Sequence, residues 1–438
     1  MKKLLAILGA GLLLASCSSG GEGDDFGGTT DTPDGQSGSE DEITLWVQFS
    51  EESAEGQVMV NSIKEFNETN ESGLTAKVNY IPRSGSGGGY EDVLNAALTT
   101  DTLPDVLTLD GPNTAAYADS GMIKSLEGDI NDVDDLLPSI IEQGTYEDEL
   151  YAVGFSESSV GIFYNEDMLE EAGIDLDSIA TIDDPWNWNE FNDVLQKLYE
   201  YYGEKPILDM GFDDHSEWLL YGFTPFVWSA GGNIVNETGT ESVGYLDSEE
   251  SVAAFEFIQN LVKNNYASIT PVDNGFHTGE YALYMSGSWT IQELEAEYQD
   301  INYGVMPLPV SPETGELASP TGSWAYGMST STKNPEGALE LINFLTSTEQ
   351  LYNMSMGNAV LPARQSSADL VLEEVGEPMR VLIEQNTASG IARPVLKNYP
   401  QVSRAFQEAI TEATYYEETD DVSELLKRKA EEIEGYLE

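Results

Sequence analysis

Ile43-Thr44-Leu45-Trp46-Val47-Gln48-Phe49 alternates and is rich in β-forming side chains, the pattern of a strand. Directly after it, Met59, Ile63 and Phe66 recur at i, i+4 and i+7, one face of a helix. A second strand pattern, Leu74 to Ile81, leads through Gly85-Ser86-Gly87-Gly88-Gly89 into a helical stripe of Val93, Leu94, Ala97 and Leu98. Asp105 to Leu109 then reads as strand again. Strands alternating with helices predict βαβ units and a mostly parallel sheet.

The alternation restarts downstream. Val160 to Tyr164 reads as a strand, and Phe191, Val194, Leu195, Leu198 and Tyr199 form a helical stripe. Asn187 with Glu190 three residues on is a capping-box pattern at its start. Ser251 to Asn264 reads as helix; Tyr281 to Met285, Asn302 to Met306 and Trp324 to Met328 read as short strands. Asn334-Pro335 is an N-cap and first helical position for the stripe Ala338, Leu341, Ile342 and Leu345. The C-terminal hundred residues are helical in pattern, as in Val402, Ala405, Phe406, Ala409 and Ile410. Two α/β lobes fit this order.

The 438 residues carry 18 Lys+Arg against 79 Asp+Glu, a formal net charge of −61. That balance argues against nucleic acid and anionic lipid surfaces as partners, since both would repel the chain. Acids are spread along the whole sequence, as in proteins of salt-rich media, where charge repulsion is screened and carboxylates keep the surface hydrated. A functional cation-binding surface is the alternative. Two histidines, His215 and His277, leave no His-rich metal site, and the single cysteine rules out an internal disulfide framework. With so many carboxylates, no Asp/Glu pair stands out as catalytic.

Lys2 and Lys3 precede an apolar run from Leu4 to Leu14 and then Ala15-Ser16-Cys17. The run is too short to span a bilayer and has the marks of a secretory signal over 1–16. Leu14-Ala15-Ser16-Cys17 also resembles the bacterial lipobox, which implies lipidation of Cys17; an unlipidated signal peptide is the other reading. Residues 17–42, rich in Gly, Ser, Thr and Asp, read as a flexible tether.

Motifs for catalysis are missing. The loop Gly85 to Gly89 lacks the Gly-Lys-Ser/Thr ending of a P-loop, and no complete G-x-G-x-x-G occurs, so a surface loop competes with a phosphate cradle. Neither a G-x-S-x-G elbow nor an EF-hand loop is present. The aromatic residues say more. Of seven tryptophans, Trp46, Trp228, Trp289 and Trp324 occupy expected strand or loop positions beside small or polar residues, where an indole face suits the C–H face of a pyranose. Packing in a core is the alternative for each. Trp186 and Trp188, just ahead of a helix, read as structural staples.

Several segments resemble the extracellular solute-binding proteins of carbohydrate ABC importers, the family that includes maltose-binding protein. They are Leu103-Pro104-Asp105-Val106, Ala118-Asp119-Ser120-Gly121, and Gly161-Ile162-Phe163-Tyr164-Asn165 through Glu171-Ala172-Gly173-Ile174. Trp188-Asn189-Glu190-Phe191, Phe276 to Met285 with Gly287-Ser288-Trp289, Tyr303 to Pro309, and Leu361-Pro362-Ala363-Arg364 follow in order. The resemblance implies an α/β, two-lobed clamp of the type II periplasmic-binding kind, each lobe a mostly parallel sheet flanked by helices. The chain would cross between lobes near Ser156, Met306 and Thr332. Residues 43–156 and 307–332 would form lobe one, and 157–306 and 333–438 lobe two.

It further implies a sugar, an oligosaccharide, held between the lobes and delivered to the permease subunits. The protein would be a monomer without cofactor, metal or catalysis, anchored outside the cytoplasm through Cys17. Trp289 takes the family's sugar-stacking position. Glu157 or Ser158 matches its acidic residue at the first crossing, and Asp110 and Asn113 fall in its hydroxyl-binding loop. Trp324 enters the last crossing, and Arg393 resembles a late loop reaching the cleft, with a structural salt bridge as its other reading. Trp46 with Gln48, and Trp228, complete the expected set. A glycerol-3-phosphate or glycerophosphodiester ligand is the runner-up, with a secreted glycoside hydrolase behind it.

Overall fold

The computed structural model describes residues 41–83, 89–126, 128–322, 324–415, 419 and 421–437. The expected signal segment, Cys17 and all but the end of the tether lie outside the described residues, as does the 85–88 part of the glycine-rich loop. Glu42, placed in the tether by sequence, opens the first strand.

Two sheets organise the described chain, each with its own cores. In the first, strands run in the order Thr75–Tyr80, Glu42–Val47, Val106–Asp110, Trp324–Ser329 and Ile123–Lys124, with Ala152–Ser156 also pairing Trp324–Ser329. The three leading strands are parallel, joined by helices Ala54–Thr69 and Gly89–Thr100 as the βαβ pattern requires. In the second sheet the order is Tyr303–Met306, Val160–Asn165, Leu283–Gly287 and Leu208–Asp209. Here the expectation of mostly parallel pairing fails: Val160–Asn165 is antiparallel to both neighbours, and only Leu283–Gly287 with Leu208–Asp209 is parallel. Trp324–Ser329 is likewise antiparallel to all its partners, because the chain re-enters the first sheet from the other lobe.

Local signals are realised as read. Asn187 accepts from the backbone of Asn189 and Glu190 while Glu190 returns to the Asn187 N–H, closing the capping box of helix Trp188–Tyr201. Asn334 caps helix Pro335–Leu345 through Gly337 N at 2.9 Å. Trp188 is buried with its ring stacked on Phe257 at 4.6 Å, a staple as expected.

The lobe boundaries need two corrections. Leu308 packs in the second lobe's core, Val310 bridges to Asn187, and Ser311 N donates to Ser229 Oγ, so 307–318 stays on lobe two. The second crossing therefore falls at about 319–322 rather than at Met306. Helices Pro335–Leu345 and Thr348–Asn358 pack under the first sheet, with Leu341, Ile342, Leu351 and Met354 in one core with Ile43 and Leu45. The stretch 333–363 thus belongs to lobe one, and the chain returns near Leu361 rather than crossing at Thr332. An apolar stripe fixes which face of a helix is buried but not which sheet receives it.

The crossings touch one another. Glu157 and Leu361 exchange both backbone hydrogen bonds, at 2.7 and 2.9 Å, and Ser319–Thr321 lies parallel to Gly390–Ala392. Glu157 is fully buried there. Its carboxylate accepts from Ser139 Oγ (3.0 Å), Gln143 Nε2 (3.2 Å) and Gly322 N (3.1 Å), tying the first crossing to the second.

Candidate ligand-binding cleft

A cavity of about 380 Å³ lies between the lobes, floored by the crossings. Lobe one contributes Glu55 from the first turn of helix Ala54–Thr69, Arg83, and two residues that strand register sets opposite each other, Asp110 and Trp324. Asp110 ends its strand, and the C-terminal ends of parallel strands are where open α/β sheets take ligands. Lobe two contributes Asp214, Glu217, Trp218, Tyr221 and Trp289, and the crossings add Glu157, Ser158 and Gly322.

Aromatic rings dominate the lobe-two wall. Trp289 begins helix Trp289–Glu297 and is 40% exposed, an unusual amount for an indole in a folded chain. Its ring stands edge-to-face with Trp218, centroids 6.2 Å apart, and 6.5 Å from Tyr221. Backbone without side chains seats these rings. A Cβ at Gly287 would overlap the six-membered ring of Trp289, and one at Gly211 (φ +66°) would lie 2.6 Å from Trp218 Nε1. Gly287 and Gly211 thus make room for the rings themselves. From lobe one, Trp324 faces the cavity with the Arg83 guanidinium over its ring at 4.9 Å.

The electrostatic centre is Arg393, 3% exposed. It makes a two-pronged contact with Asp110 of lobe one (Nη1–Oδ2 3.0 Å, Nη2–Oδ1 2.6 Å) and a third with Glu217 of lobe two at 2.7 Å. Tyr221 lies beneath it at 5.1 Å, and Tyr399 hydroxyl donates to Glu217. Burial alone would lower the arginine's pKa, but Asp110, Tyr399 and Glu217 outweigh it and hold the charge well above the ordinary value. The salt-bridge reading of Arg393 is therefore realised, and the bridge runs between lobes. Burial pushes the Glu55 carboxyl up to about 8 and that of Glu157 to about 7, the latter opposed by its hydrogen bonds and Arg393.

Not every expected residue reaches this cavity. Asp110, Glu157, Ser158, Trp289, Trp324 and Arg393 line it. Ser158 Oγ is engaged by Tyr221 hydroxyl (2.6 Å) and Gly322 O (3.0 Å). Trp46 does not reach it. At 3% exposure it packs with Tyr90, Leu94 and Leu107, because helices cover both faces of its sheet. Gln48 is buried beside it, accepting from Thr108 Oγ1 at 2.7 Å. Trp228 lies on helix Thr224–Ala230, not in a loop, and donates Nε1 to Asn233 Oδ1 at 3.2 Å away from the cavity. Asn113 lines a neighbouring interlobe space of about 460 Å³ beyond the Asp110–Arg393 bridge. Trp218, Tyr221, Glu217, Arg83 and Glu55 were missed. The Gly-aromatic pairing that marked Trp289 also held for Trp218, through Gly211 and Gly222, but at a sequence distance only folding closes.

A family model described as bacterial extracellular solute-binding protein matches residues 61–377. Among curated relatives, the diacetylchitobiose binding protein DasA of Streptomyces coelicolor is 24% identical over 381 residues, 83% of each chain. Among solved structures, the cyclic alpha-maltosyl-1,6-maltose binding protein of Arthrobacter globiformis superposes with a TM-score of 0.77 at 22% identity, covering 90% of this chain and 98% of that one. UgpB of Mycobacterium tuberculosis, solved with glycerophosphocholine, gives 0.76 at 20% identity over 90% and 98%. These likenesses establish a shared two-lobed fold.

Proposed function

The chain belongs to the bacterial extracellular solute-binding proteins, and on that premise we propose that it captures an oligosaccharide between its lobes and delivers it to the permease of an ABC importer. As a member of this family it is an extracytoplasmic binding protein and not an enzyme. The observation that carries the sugar reading is the pairing of exposed Trp289 on lobe two with Trp324 on lobe one across one cavity. Indole faces stack on pyranose C–H faces, and the carboxylates between them accept from hydroxyls. Trp218 and Tyr221 extend the stacking wall; Asp110, Glu217, Glu157, Ser158 and Arg393 supply polar contacts and hold the crossings. A ligand bridging both walls favours the closed arrangement by its differential contacts, which the permease then reads.

A phosphodiester ligand is less well supported. It needs an uncommitted cation, yet Arg393 is neutralised by Asp110 and Glu217 and Arg83 pairs with Glu91 at 3.4 Å. Isothermal titration against mono- to tetrasaccharides tests the reading: binding without turnover supports it, and silence across the panel refutes it. The resemblance of Leu14 to Cys17 to a lipobox supports a lipid anchor on Cys17. In that case Cys17→Ser moves the protein from the membrane fraction to the soluble one.

A further inference from the structure

A second cavity, about 470 Å³, opens off the cleft and is built from lobe two alone. It shares Trp218, Trp289 and Asp214 with the cleft and adds Asp209, Asp213 and Asp273, while no Lys, Arg or His is among its lining residues. General surface acidity accounts for Asp213, Asp214 and Asp273, which are exposed and keep their water. It does not account for Asp209. That side chain ends strand Leu208–Asp209 at 9% exposure, and one carboxylate oxygen accepts from Gly211 N at 2.9 Å, closing the local turn. The other oxygen has no protein partner among the described residues and stays open to the cavity that Asp209 lines.

A carboxylate that gives up much of its hydration without gaining a counter-charge is costly. Burial first, then repulsion from Asp213, pushes Asp209 up to about 6. What would relieve it is a positive charge, and two indole rings beside it offer the π-faces that cations prefer. Trp218 Nε1 is already given to Met210 O at 2.9 Å, so that ring has no N–H left to offer a ligand. Among the described residues no three His, Cys, Asp or Glu groups converge to hold a metal ion, whereas the paired rings suit an organic cation.

Resting on the binding-protein reading, we propose that this cavity is a subsite for an organic ammonium group carried by the ligand, held between Trp218, Trp289 and Asp209. The chemistry fits a saccharide with a free amine, or the quaternary ammonium of a choline-type headgroup.

Titration calorimetry of the full chain at about pH 6.5, where sugar amines are protonated, separates the possibilities. The probes are matched pairs: glucosamine and glucose, galactosamine and galactose, the β-1,4 glucosamine dimer and cellobiose, with glycerophosphocholine alongside. The expected result is an amine binding roughly 10-fold tighter than its hydroxyl twin. Asp209→Asn and the exposed Asp213→Asn should reduce that ratio without weakening the neutral twin. Glycerophosphocholine binding that Asp213→Asn weakens, with every saccharide silent, would support the ammonium site and refute the sugar reading. Equal affinities within each pair, unaffected by either substitution, would overturn the ammonium site and leave sugar capture standing. Failure of all amine-bearing probes to bind would overturn it as well.

Discussion

Trp289→Ala removes the ring on which the cleft reading depends, and its effect can be sized from exposure. A tryptophan presents on the order of 250 Å², and 40% of Trp289 is open to solvent, so about 100 Å² is available to a ligand. A pyranose covering half to all of it, at about 25 cal/mol per Å², contributes roughly 1.2–2.5 kcal/mol. That is roughly an 8- to 70-fold loss of sugar affinity. The buried part of the ring also packs against Trp218, Tyr221 and Gly287, so stability should fall by about 2 kcal/mol and the melting temperature by several degrees. Calorimetric titration with the best saccharide of the panel, beside a thermal melt, reads both. Gly287→Ala gives an independent route, because its methyl group displaces the ring while leaving the indole in the chain. Affinity within about twofold of the parent in both variants, each still folded, would refute the stacking argument.

Arg393→Met leaves Asp110 and Glu217 facing each other without a cation and should destabilise the protein by about 3–5 kcal/mol in thermal melts. Adding Asp110→Asn should restore part of that loss, and no restoration would mean the bridge is not what holds the site. Burial raises Glu55 from 4.5 to about 8, so the stability it contributes is present below pH 4.5 and lost as pH rises toward 8. Glu55→Gln should therefore raise the melting temperature relative to the parent more at pH 8 than at pH 4.5, and a pH-independent difference would contradict the assignment. The net charge of −61 predicts a melting temperature that climbs from about 0.1 M to about 2 M NaCl as screening removes self-repulsion. A flat salt response would count against adaptation to a salt-rich medium.

The alternating strand around Trp46, the i, i+4, i+7 stripe after it, the Asn187–Glu190 box and the Asn334-Pro335 start are local patterns, and each became the expected element. They depend on side chains within one turn or one pleat of each other, which sequence displays directly. The restarting alternation already suggested two lobes and the aromatic contexts Trp289 and Trp324; the family likeness added the crossings between lobes and Arg393. What no window of sequence could decide is which partner each face meets. Trp46, between Leu45 and Val47, and Trp289, between Ser288 and Thr290, are both expected from sequence to face a ligand, yet helices bury the first and 40% of the second stays open. Arg393 meets Asp110, 283 positions away, and Glu217, 176 positions away. The helices after Asn334 went to the lobe opposite the one expected, for the same reason. Burial and ion pairing are set by long-range packing, so tertiary structure alone decided which rings line the interlobe cavity, which carboxylates meet Arg393 and where Asp209 lies.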